Sequence, residues 1–191
     1  MKNIIKLILF LFTVNVSCQV TNIVPLNTVY YSDGAYLKDL NNELSLLEGT
    51  WEGTLNNKKY IFQFTVFYQH LETGADGSYE YEDKLSGKFK VIDLGTNQVL
   101  YDNLNASNYE DYGILNFIIL GNEFMMGFFD TPNNCYNQAD FSIIKDPNNL
   151  NQITYKSFEM GDYGGLTPCN YNTQEDIPMF LPTQELILTK Q

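Results

Sequence analysis

The sequence predicts an all-β domain: an antiparallel up-and-down β-barrel, or a sandwich, of about eight or nine short strands. Three observations predict it. Past residue 48 the apolar residues recur at a spacing of two, the period of a half-buried strand. Turn-forming Asn and Gly residues punctuate these runs at short intervals. No helical period falls between the runs, which argues against a parallel sheet crossed by helices.

The chain opens MKNIIKLILFLFTVNVSC, with Lys2 and Lys6 ahead of an apolar run that reaches Val16. The run is too short to span a bilayer and has the length of a signal h-region. Residues 1–18 therefore read as a signal peptide cleaved before or at Cys18. Val16-Ser17-Cys18 resembles the end of a bacterial lipoprotein signal, in which a small residue precedes a cysteine that is acylated. On that reading Cys18 is the lipid anchor, and membrane attachment through more than one acyl chain is stable. Ordinary cleavage after Cys18, leaving Gln19 first, is the alternative. Gln19 in place of Asp resembles the outer-membrane sorting preference, so the expected address is the bacterial cell envelope, outer membrane, facing the periplasm.

Residues 19–32, with Pro25, read as an extended tether, and residues 33–191 as a single domain. In DGAYLKDLNNELSLLE, Leu37, Leu40, Leu44 and Leu47 fall at spacings of three and four and predict a short N-terminal helix, stopped by Gly49. TWEGTL is the first strand, and Asn56-Asn57 a tight turn. KKYIFQFTVFYQ is the clearest strand: Tyr60, Phe62, Phe64, Val66 and Tyr68 share one face. KLSGKFKVID sets Leu85, Phe89 and Val91 against Ser86, Lys88 and Lys90. QVLYD follows Gly95-Thr96-Asn97. GILNFIIL and EFMMGFFD flank Gly121-Asn122, and ADFSII and QITYKSF flank KDPNNLN. QELILTK ends the chain with Leu186 and Leu188 on one face. Residues 70–83, 102–113 and 157–183 read as loops, the first acidic and the last rich in Gly and Pro.

The composition narrows the function. Without Lys2 and Lys6 the chain keeps nine lysines against 23 acids, a net charge of −14, and it has no arginine. Phosphate neutralisation needs clustered cations, so nucleic acid is not a partner. Two cysteines remain besides Cys18. Cys135 and Cys169, exported to an oxidising compartment, are expected to form a disulfide stabilising by roughly 3–4 kcal/mol; two buried thiols are the alternative. His70 is the only histidine and cannot build a His-rich metal site; it reads as a solvent-exposed loop residue. Glu72, Asp76, Glu80, Glu82 and Asp83 lack the spacing of a calcium loop. No nucleophile, base and orienting group can be assembled, so no enzyme and no cofactor is expected.

LEGTWEG, a helical turn followed by Gly-x-Trp at the opening of the first barrel strand, resembles the lipocalin signature. Trp51, the one tryptophan, takes the position of the residue that closes the barrel in that family. The arginine that packs over it there is missing, and Lys190 is the only cation available to replace it. YLKDLNNELSLLEGTWEG followed by YEDKLSGKFKV resembles a family of small bacterial lipoproteins with a lipocalin-like β domain and no assigned activity. The resemblance spans most of the chain and implies fold and address, with no site residues.

An eight-stranded barrel is either filled by its side chains or holds one small ligand. The expected inward face includes Tyr60, Phe62, Phe64, Phe89, Phe117 and Met126, and these are the candidate ligand-binding residues for a small apolar or amphipathic molecule. The alternative is a filled barrel that binds a protein or glycan through its long loops.

Overall fold

The structure is a computed structural model, which describes residues 22–131, 135, 137–161, 171, 173 and 176–191. The signal peptide, Cys18 and Cys169 lie outside the described residues, so the lipid anchor and the Cys135–Cys169 pairing fall outside them too.

Eleven strands run in order: β1 (Ile23–Pro25), β2 (Tyr36–Lys38), β3 (Gly49–Leu55), β4 (Lys58–Thr73), β5 (Tyr79–Asp93), β6 (Val99–Asp102), β7 (Ile114–Leu120), β8 (Glu123–Phe129), β9 (Gln138–Lys145), β10 (Gln152–Met160) and β11 (Leu186–Lys190). Eight of them, β3 to β5 and β7 to β11, form a closed antiparallel barrel. Each pairs with its chain neighbour, and the ring is closed by β11 against β3 and by β5 against β7. This is the up-and-down barrel that the alternating pattern predicts. The two-residue turn Asn56-Asn57 takes φ of 50° and 60°, the left-handed values such a hairpin turn requires. β6 lies outside the ring on β5, and β1 and β2 add two parallel strands to its outer edge.

Three expectations are corrected. The helix over residues 33–48 does not form. Tyr36–Lys38 is a strand, and only Leu44–Leu46 makes a short 3₁₀ turn. The cause is Asp39, whose carboxylate accepts the backbone N–H groups of Glu43 and Leu44 at 2.9 Å, together with the left-handed φ of Asn42. Such local side-chain bonds compete with helix propagation. Leu40 is accordingly exposed while Leu37, Leu44 and Leu47 are buried. Second, most of residues 70–83 is strand: β4 and β5 continue into a long hairpin and leave a turn only at 74–78. Third, Tyr68 leaves the buried face. The register shifts between Phe67 and His70, with Gln69 at a φ of 54°, and this turns Tyr68 outward to 62% exposure.

One end of the barrel carries the β4–β5, β7–β8 and β9–β10 turns. Trp51 is fully buried there beside Leu44 and Leu47, its indole donating to the Leu47 carbonyl at 2.7 Å. Lys190 pairs with Trp51 across the β11–β3 ladder and holds its Nζ 5.2 Å from the indole ring centre. The cation that the sequence leaves available thus sits over the tryptophan. At the opposite end Ile177 and Leu181 are buried, and Phe180 packs 5.2 Å from the Tyr101 ring. The segment leading into β11 therefore covers the second end. No helix among the described residues is long and apolar enough to cross a membrane.

Candidate functional site

The inward positions of β3, β4, β5, β8, β9 and β10 bring large rings together. Phe62 lies 6.2 Å from Phe64, 5.6 Å from Phe89 and 6.0 Å from Tyr155; Phe141 stacks on Tyr155 at 4.7 Å; Phe89 stacks on Tyr101 at 4.4 Å. Of the six candidate ligand-binding residues, Tyr60, Phe62, Phe64, Phe89 and Met126 sit in this packed cluster. Two small niches, about 20 Å³ under Trp51 and about 30 Å³ behind Leu85 and Ile119, have room for roughly a water each. The Tyr155 hydroxyl is buried among these rings with no hydrogen-bond partner among the described residues. Burial first, and the neighbouring Tyr60 second, push its ionisation far above the ordinary tyrosine value.

Phe117, the sixth candidate, does not point inward. A bulge between Asn116 and Ile118 breaks the alternation of β7, and Phe117 stands on the outer wall, 52% exposed. Its ring lies across Gly127, where any Cβ would run into it, and meets Phe129 edge-on at 6.0 Å. A side chain at 127 would lift the ring, which is a physical reason for glycine there.

Phe117 walls a groove of about 310 Å³ on the outside of β7 to β10. Met125 and Ser142, a cross-strand pair, lie in it, with Glu123, Asp140, Ser157 and Glu159 around them. A second bulge shapes the far side: β10 shifts register between Lys156 and Glu159, with Ser157 at a φ of 56°. Ser142 is only 6% exposed, and its hydroxyl has no hydrogen-bond partner among the described residues. The groove is thus a depression of mixed lining, with Phe117 and Met125 on its apolar side, the Ser142 hydroxyl without a partner among the described residues, and a carboxylate margin. Sequence reasoning missed it because it depends on two bulges, and a bulge leaves no mark in a period-two pattern beyond the unusual run of apolar residues in ILNFIIL.

The remaining candidates are held by structural contacts. His70 lies in β4, not in a loop, with its ring 4.2 Å from Tyr109 and its Nε2 3.6 Å from Glu72. Residues 102–113 fold back over this face: the Lys88 ammonium donates to the Ala106 carbonyl at 2.7 Å and lies over the Tyr112 ring. The five acids of residues 70–83 are dispersed. Glu72 and Glu82 pair with Lys84 at 2.7 and 3.3 Å, Asp76 accepts the Ser78 N–H and hydroxyl, and Asp83 is turned inward. Burial pulls the Lys84 pKa down, but Glu72 and Glu82 outweigh it and hold it above the lysine norm. No group of three potential metal ligands is found among the described residues.

No protein-family model, no curated protein and no solved structure matches this chain.

Proposed function

We propose that this chain is a lipid-anchored envelope protein, without enzymatic activity, that binds a small amphipathic molecule in the groove on its outer wall. The observation that carries the reading is the contrast between an interior occupied by stacked rings and an external groove whose Ser142 hydroxyl has no partner among the described residues. A groove of this volume is at the small end of ligand sites and matches a molecule, not a folded partner. The anchor rests on the signal pattern ending at Cys18 and places the protein at the outer membrane, facing the periplasm. The same export makes a Cys135–Cys169 disulfide part of the proposal: Cys135 is buried, and the bridge would tie the β8–β9 connection to the segment before β11.

The test is a native mass spectrum of the full chain extracted from its envelope, followed by a denatured one. The expected result is acyl mass on Cys18 and a small-molecule mass that is lost on denaturation. Met125→Lys, at an exposed position in the groove, is expected to remove the small molecule and leave the fold unchanged. A bare polypeptide beginning at Gln19 would overturn both parts.

A second reading, a ligand inside the barrel, is favoured by the Tyr155 hydroxyl alone. It predicts that the bound mass survives Met125→Lys. If instead the interior is simply filled, Tyr155→Phe removes an unsatisfied group and leaves stability unchanged or raises it by about 1 kcal/mol in urea denaturation. A loss of stability would show that the hydroxyl has a partner.

A further inference from the structure

We infer that the outer groove recognises an organic ammonium ion, a primary amine carrying a short apolar body. This rests on the groove being the binding site and names what it selects.

Three carboxylates, Glu123, Asp140 and Glu159, line the groove, and no cation does. Asp140 and Glu159 are direct partners across the β9–β10 ladder. Like charges in that relation are destabilising, yet neither side chain makes an ion pair or hydrogen bond among the described residues. Lys156, opposite Ser142, is the nearest cation by register, and it forms no ion pair among the described residues either. The groove thus carries an excess of negative charge, three lining carboxylates against the one neighbouring Lys156. The independent observation is Ser142, a residue only 6% exposed that lines the groove and whose hydroxyl has no hydrogen-bond partner among the described residues. It can accept an N–H from a primary ammonium while the carboxylates take the charge. Phe117 and Met125 offer a ring face and a thioether to the apolar body, and a ring face also attracts cations. A hard metal ion is a poor fit, because it needs several oxygens converging on one point and no three potential ligand residues come close enough together among the described residues.

The probe is hexylammonium, compared with 1-hexanol, on the full chain carrying ¹³C-methyl methionine. The expected result is that hexylammonium shifts the methyl signal of Met125, the exposed methionine of the groove, and binds about tenfold more tightly than 1-hexanol, the advantage shrinking with added salt. The double variant Asp140→Asn, Glu159→Gln relieves a repulsion and is expected to stay folded, as an unchanged methyl spectrum would show, while losing that tenfold preference. Equal binding of hexanol and hexylammonium to the unsubstituted protein would overturn the ammonium inference and leave the groove standing. Absence of any groove methyl shift with either probe would overturn both. Retention of the preference in the double variant would place the selecting charge elsewhere and overturn the inference alone.

Discussion

Phe62→Ala is expected to lower the unfolding free energy by roughly 3–5 kcal/mol, a large share of what a domain of this size has. Phe62 has no exposed surface and is bordered by Phe64, Phe89 and Tyr155, while the ladders set it beside Trp51 and Phe89. The strands around it are fixed by a closed hydrogen-bonded ring, so the wall cannot move in to fill the space a ring leaves. Phe67, on the outward face of the same strand, touches Tyr109 and Tyr112 at 5.2 Å, and its truncation is expected to cost about 1 kcal/mol. Urea denaturation of both variants makes the comparison. A Phe62 cost no larger than the Phe67 cost would mean a loosely occupied interior and would favour a ligand there.

Asp83→Ala is expected to cost roughly 3 kcal/mol and to free residues 22–43 from the barrel. Asp83 is buried, and three donors converge on it: the Tyr36 hydroxyl at 2.5 Å, the Asp39 N–H at 2.9 Å and the Gln69 N–H at 3.0 Å. Removing the carboxylate strands all three, at about 1 kcal/mol or more for each. Burial first, and the hydrogen bond to Asp83 second, push the Tyr36 ionisation well above the tyrosine norm, so the phenol stays protonated and donating across the physiological range. Limited proteolysis is the sensitive readout: the variant should be cut within residues 26–43 while the barrel persists. Asp83→Asn, which keeps an acceptor, should lose less. Wild-type resistance in Asp83→Ala would show that β1 and β2 are held by their strand pairing alone.

The barrel was legible because a closed wall imposes one alternation on every strand. Tyr60, Phe62, Phe64, Leu85, Phe89, Val91, Leu186 and Leu188 all sit where period two puts them. The misplacements share one cause, local geometry that overrides period. Asn42 and Asp39 end a helix that the leucine spacing supports; Gln69 reverses Tyr68; the bulge at Asn116–Ile118 puts Phe117 outside. The groove was illegible for the same reason, since Phe117, Ser142 and Glu159 are far apart in sequence and meet only through two register shifts. Asp83 gave no signal because an acid in an acidic stretch reads as solvated until three donors are seen to face it.

The parallel placement of β1 and β2 outside the ring has a mechanical consequence. In a chain held by its N-terminus, load enters at Ile23 and passes first through a three-residue pairing and the Asp83 bonds, not through the barrel wall. That segment is a fuse: it yields before the ring does. Residues 22–43, once released, pay out on the order of 70–80 Å of slack, letting the barrel swing away from its attachment while remaining folded.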